Sequence, residues 1–147
     1  MTTTMPDLAT ARAGAPARLP VSCFVIACNE ADRIGRTLAA VKDLVDEIVV
    51  VDSGSTDATV SVAISHGARV IHNAWPGFGQ QKRFAEEQCR NDWLLNVDAD
   101  EQVSEALAAE MRALFADGAP QEAAFGMWAS IDRKSTRLNS SHITTSY

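Results

Sequence analysis

Asp98 and Asp100, two carboxylates one residue apart in "WLLNVDADEQ" (residues 93–102), stand where an apolar run gives way to polar sequence. Trp93, Leu94, Leu95 and Val97 suit a sheet interior, whereas Asp98, Asp100 and Glu101 repel one another. Such crowding is unfavourable unless a cation offsets it. Hard divalent cations such as Mg2+ take oxygen ligands and often share one or two protein carboxylates with substrate phosphates. An isolated D-x-D is more often part of a solvated loop. At the end of a buried strand a turn lets alternate side chains converge, and there the pair predicts a site for a cation and a diphosphate.

A further acid closes another apolar run in "VVVDSGSTDAT" (residues 49–59). Asp52 in that position can accept from a sugar hydroxyl or a base N–H. The small residues Ser53, Gly54 and Ser55 let a ligand approach the backbone. The plainer alternative is a strand-to-helix turn with Asp57 as its cap. "GFGQQKRFA" (residues 77–85) places two glycines before a helix and Lys82 in its first turns, where a phosphate neighbour and a solvated lysine are equally open. Asn29 and Glu30 follow the first apolar run. His66 and His72 accompany no cluster of cysteines or acids and are read as structural. Trp75 is expected to anchor its loop rather than to line a pocket.

These residues need a frame, and the apolar pattern supplies one. "VSCFVIACN" is too continuous for a half-exposed strand and fits a sheet covered on both faces. In "EADRIGRTLAAVKDLV", Ile34, Leu38, Val41 and Val45 recur at three- and four-residue spacing, as in an amphipathic helix. "EIVVVD" reads as a strand, and "STDATVSVAISHGA" as a helix with polar caps and a closing Gly67. "RVIH", "GQQKRFAEEQCRN" and "DWLLNVD" continue the alternation. "SEALAAEMRALFADG" is a helix capped by Ser104 and stopped by Gly118, and "EAAFGMWASI" opens another strand. Alternation of this kind predicts an α/β fold with a mostly parallel sheet flanked by helices. Ligands of such sheets bind beyond the carboxyl ends of the strands. Asn29 and Glu30, Asp52 and Ser53, and Asp98 and Asp100 all fall at that edge.

The chain has 147 residues, enough for one domain, and 46% hydrophobic with 22% charged residues is ordinary for a soluble globular protein. A net charge of −6 argues against a nucleic-acid partner, which calls for a basic face. Cys23, Cys28 and Cys89 form no C-x-x-C pair and are read as buried free thiols of a reducing, cytoplasmic compartment. Residues 1–19, rich in Thr, Ala and Pro, read as a flexible leader without the apolar run of a signal peptide.

Together, "ACNEADRIGRTL", "DEIVVVDSGSTDAT", "AWPGFGQQKRFA" and "WLLNVDADEQVS" resemble family 2 glycosyltransferases, nearest the branch that includes lipopolysaccharide core glucosyltransferases. The resemblance spans residues 20 to about 130. It implies a GT-A (Rossmann-like) fold and an inverting sugar transfer from a nucleotide-sugar, usually a UDP-sugar, with Mg2+ or Mn2+. By position, Asn29 and Glu30 would lie beside the nucleotide, Asp52 would hold the base, and Asp98 would sit near the ribose. Asp100 would ligate the metal, and Lys82 would lie near the donor. The acceptor would be a glycan or glycolipid, and the complete protein could associate peripherally with the inner face of a membrane.

In relatives the general base and acceptor pocket follow the D-x-D segment, and here the chain departs from that pattern. Residues 132–147, beginning "DRKSTRLNSSH", resemble the translation of a common sequencing adapter and are read as a non-native tail. Residues 20–131 are then an incomplete, donor-binding domain without a credible base, and the chain by itself is expected to be inactive. A sugar-phosphate nucleotidyltransferase would want a Gly- and Arg-rich loop after the first strand, which "CNEADRIG" lacks. An NAD-dependent dehydrogenase would want G-x-G-x-x-G there. A non-catalytic nucleotide-binding fragment is the remaining alternative, separable by a turnover assay.

Overall fold

A computed structural model describes residues 17–118, 125–126 and 130–133. Strand and helix alternate as β1 (Leu19–Ala27), α1 (Ala31–Val41), β2 (Val45–Asp52), α2 (Thr59–Ser65), β3 (Arg69–His72), α3 (Phe78–Gln88), β4 (Trp93–Asn96) and α4 (Glu105–Leu114). Two short strands follow, β5 (Phe125–Gly126) and β6 (Ser130–Arg133). The sheet order is β3-β2-β1-β4-β6-β5. β1 pairs in parallel with β2 and β4, and β2 with β3, whereas β6 runs antiparallel to β4 and to β5. The single further strand expected in "EAAFGMWASI" is thus a pair of antiparallel strands.

The continuous apolar runs have the predicted cause: both faces of the sheet are covered. Val21, Cys23, Val25 and Ala27 of β1 pack with Ile34, Leu38 and Val41 of α1 and with Leu107 and Met111 of α4. Phe24, facing the other way, packs with Val49, Val51, Leu94 and with Ala85 of α3. Fully buried side chains such as Phe24, Ile34, Leu38 and Leu94 each contribute about 1.5–3 kcal/mol by leaving water. Helix ends are set locally. Ser104 Oγ accepts from Leu107 N–H at 3.0 Å to start α4, and Gly67, at φ 86°, takes the left-handed turn that ends α2.

Two boundaries differ from the sequence pattern. β1 starts at Leu19, inside the segment read as a leader, because Leu19 N–H donates to Leu44 O at 2.7 Å and its side chain is buried. Residues 1–16 lie outside the described residues. β6 continues through Asp132 and Arg133, opposite Leu94 and Trp93, two residues into the segment read as non-native. Ladder hydrogen bonds are made by the backbone and tolerate many side chains. The rest of that segment, residues 134–147, lies outside the described residues.

Candidate functional site

The chain builds outward from β1 to β3 and then returns to add β4 on the other side of β1. Such a reversal opens a crevice at the carboxyl ends of the two central strands. A cavity of about 400 Å3 lies there. Ile26, Ala27, Cys28 and Glu30 from the end of β1 line it, with Ser53 after β2 and Asn96 and Asp98 from the end of β4. Trp75 and Phe78, from the loop entering α3, complete its wall.

Asp98 and Asp100 occupy a turn held from both sides. Val97 N–H donates to Phe24 O at 3.2 Å, and Asp98 N–H and Glu101 Oε1 are 3.0 Å apart, closing the turn from within. Below it, the Thr37 hydroxyl of α1 donates to Ala99 O at 2.7 Å, with both residues buried. Sequence reading missed Thr37, since a Thr on the buried stripe of a helix resembles any small core residue. Thr37→Val keeps the shape but leaves Ala99 O without a donor, so urea denaturation should show a loss of about 1–3 kcal/mol. Thr37→Ser should retain most of that stability.

The acids are electrostatically loaded. The Asp98 carboxyl is pushed above its ordinary range by desolvation, reinforced by the Asp100 charge and opposed by Lys82. Although Asp98 as a residue is exposed, neighbouring protein crowds its carboxyl on one side. Desolvation also raises Glu101, and repulsion from Asp98 and Asp100 adds to it, against a hydrogen bond from the Asp98 N–H. Lys82, for which sequence left a solvated position open, is buried and acts on Asp98. No group of three or more His, Cys, Asp or Glu side chains able to hold a metal occurs among the described residues. The donor set instead suits a hard cation held by one or two carboxylates and completed by a phosphate ligand and water.

Asp52 is buried at the end of β2 and closes its own turn. Its Oδ2 accepts from Gly54 N–H at 3.0 Å and Ser55 N–H at 2.8 Å, while Oδ1 accepts from the Ser55 hydroxyl. Gly54 has φ 122°, a conformation an L side chain would strain. A carboxylate offers about four lone-pair directions, so Oδ1 keeps one. The structural and ligand-binding readings of Asp52 are therefore compatible.

Asn29 stands differently. At φ 55° it takes the left-handed region that Asn tolerates, and its Oδ1 accepts from Thr56 N–H at 2.8 Å and Asp57 N–H at 3.3 Å. It fastens the loop after β1 to the loop after β2. Asp57 answers from the other side, accepting from Ala31 N–H and Thr59 N–H. Its carboxyl is held low chiefly by the Thr59 hydroxyl. Glu30 lines the crevice; Arg33 Nη2 lies 2.7 Å from its buried Oε1 as an ion pair, off the line of a hydrogen bond.

Trp75 is not a loop anchor. It is 55% exposed on the crevice wall and tilts against Phe78, itself 52% exposed, with ring centroids 6.5 Å apart. Cys28 is likewise exposed, whereas Cys23 and Cys89 are buried, and burial pushes the Cys23 thiol up. His66 bonds to Val62 O within its own helix.

Known proteins share this architecture. Residues 22–145 match the profile of Glycosyl transferase family 2. An uncharacterized glycosyltransferase of Rickettsia felis is 52% identical over 96 residues, covering 65% of this chain and 34% of that protein. The lipopolysaccharide core biosynthesis glycosyltransferase LpsC of Rhizobium meliloti is 40% identical over 95 residues, 61% of this chain and 35% of its own. Among solved structures, glucosyl-3-phosphoglycerate synthase from Mycobacterium tuberculosis, in complex with Mn2+, UDP and glucosyl-3-phosphoglycerate, superposes with a TM-score of 0.55 at 28% identity. It covers 74% of this chain and 42% of that one. The GT-A type of sheet is common to these folds. The chain spans about a third of the length of the curated relatives it matches.

Proposed function

Because the chain belongs to Glycosyl transferase family 2, we propose that its crevice binds a nucleotide-sugar, a UDP-sugar, together with Mg2+ or Mn2+. The complete protein would transfer the sugar with inversion to a glycan or glycolipid acceptor, and a lipopolysaccharide core fits the likeness to LpsC. It would work in the cytoplasm, with peripheral association at the inner face of the membrane. No helix among the described residues is long and apolar enough to cross a bilayer. The observation that carries the reading is the pair Asp98 and Asp100 at the switch point of the sheet, where desolvation and the Asp100 charge push the Asp98 carboxyl up.

Asp100, with Asp98 beside it, would hold the cation. When bound, the cation neutralises charge gathering on the departing nucleoside diphosphate. Lys82 supplies a second positive charge on the same side and Asp52 accepts from the base N–H. Glu30 and Ser53 bound the space between, with Asn29 keeping the two nucleotide-side loops together. Adjacent strands lie about 4.8 Å apart, so β2 and β4, on either side of β1, stand roughly 10 Å apart. That separation suits a base at one and a diphosphate at the other.

Calorimetry decides the reading: UDP should bind more tightly with Mn2+ than without it, and equal affinities would sink the assignment. Asp52→Asn gives a cleaner test of the base contact than truncation. The amide oxygen can still accept from the Gly54 and Ser55 N–H groups, while the NH2 in place of Oδ1 donates to the Ser55 oxygen and offers the base a donor instead of an acceptor. UDP binding should weaken by about 1.5–3 kcal/mol, the range for hydrogen bonds to charged groups, with the Mn2+ enhancement kept and the melting temperature little changed.

A further inference from the structure

Gln81 is a polar side chain with no exposure at all, on the second turn of α3 behind the crevice wall. Its Nε2 lies 2.7 Å from the main-chain carbonyl oxygen of Asn73. A carbonyl can only accept, so the atom facing it must be the amide nitrogen. The same nitrogen reaches Ser53 Oγ at 3.2 Å, and Gln81 Oε1 accepts from Asn73 Nδ2 at 2.6 Å. Every group of this amide therefore has a fixed role. Nε2 donates to Asn73 O with one proton and to Ser53 Oγ with the other.

The consequence falls on Ser53. Its oxygen accepts from Gln81, so its own proton must be offered elsewhere, and no acceptor for it occurs among the described residues. Ser53 is half-buried on the crevice wall, one residue beyond Asp52, with its N–H already committed to Ala27 O at 2.9 Å. We propose that Gln81 is a positioning residue that sets the polarity of Ser53, so that the Ser53 hydroxyl donates to an acceptor-only oxygen of the nucleoside diphosphate in the crevice. Asp52 and Ser53 then present opposite characters side by side, an acceptor and a donor. The inference rests on the crevice being the nucleotide site.

A double-mutant cycle tests it. UDP affinity is measured by calorimetry with saturating Mn2+ for the unmodified protein, Ser53→Ala, Gln81→Met, the double variant and Asn73→Ala. Ser53→Ala and Gln81→Met should each weaken UDP about tenfold, the upper end for one hydrogen bond, and the double variant should be no weaker than either alone. Asn73→Ala removes the bond to Oε1 but leaves both Nε2 bonds, and should stay within about twofold. Additive losses, or unchanged affinity in Ser53→Ala, would overturn the role given to Gln81. If Gln81→Met fails to fold, Gln81→Leu takes its place in the cycle, and unchanged affinity in Ser53→Ala, which leaves the Gln81–Asn73 bonds intact, still overturns the proposal. An unmodified protein that binds no UDP would instead refute the nucleotide reading beneath it.

Discussion

Asp100→Asn is expected to abolish the Mn2+ enhancement of UDP binding while leaving the metal-free protein no less stable. Loss of outer-shell partners alone commonly costs 10–100-fold in metal affinity. Loss of a direct carboxylate ligand should therefore cost on the order of 100-fold or more. Asp98→Asn should weaken metal-dependent binding too, and it adds a second signature. Because desolvation and the Asp100 charge hold the Asp98 carboxyl above its ordinary range, ionised Asp98 opposes folding at neutral pH. A raised carboxyl contributes stability only while protonated and loses it as pH rises through the folded value. A neutral Asn escapes that penalty, so Asp98→Asn should melt at a higher temperature than the unmodified protein at pH 7 without metal. The gain should shrink on titration to acid, where Asp98 itself is neutral. Opposite changes in stability and function would mark a site whose strain is relieved by its ligand. A lower melting temperature with intact Mn2+ dependence would return the acids to a structural role.

The parts of this site that sequence made legible are those whose chemistry is carried by residue type and position along a strand. Asp52, Asp98 and Asp100 announce themselves because an acid at the end of a buried run is anomalous. The alternation of apolar periods places them on one edge of a sheet. Thr37 and Gln81 were not legible for the converse reason. Thr37 meets Ala99 across 62 positions, and Gln81 meets Ser53 across 28. Both sit on helices where a short polar residue passes for core filler or solvated surface. Asn29 was placed beside the nucleotide by resemblance; what the sequence did not show is that its left-handed backbone and three nearby N–H or O–H donors also bind it to the opposing loop. Trp75 was read as a loop anchor rather than a pocket wall; only the packing of the crevice shows the ring uncovered. Strand order, too, is not written in periodicity. That β4 pairs with β1 depends on which edges remain open once β2 and β3 have formed.

At the opposite edge of the sheet, Glu47 should decide how the fold responds to acid. It is buried at the start of β2, beside a cavity of about 340 Å3 lined by Arg18, Lys42, Arg69 and Arg90. Its Oε1 accepts from the Ser22 hydroxyl at 2.5 Å and Arg90 N–H at 2.9 Å, and Oε2 pairs with Arg69 at 3.0 Å and Arg90 at 3.6 Å. One carboxylate thereby joins β1, β2, β3 and the α3–β4 connection. Desolvation pushes against its ionisation, but the Arg90 N–H, the Ser22 hydroxyl and Arg69 together hold it below the ordinary 4.5. A lowered carboxyl gives stability that is complete above the unfolded value and is lost as pH falls through the folded one. Glu47 should therefore stabilise the protein at neutral pH and release that contribution below about pH 4.5. Asp98 and Glu101, both raised, act with the opposite sign at higher pH. Both arginines are about half exposed or more, so water would take up their charge if Glu47 were neutral, and the full cost of a stranded buried ion does not apply. Glu47→Gln should then cost about 1.5–3 kcal/mol at pH 7, as for hydrogen bonds to a charged group. Urea denaturation from pH 7 to 3 should show the variant and the unmodified protein converging in acid. A constant gap across that range would mean the loss comes from packing, with the ionised carboxylate contributing nothing to the joint.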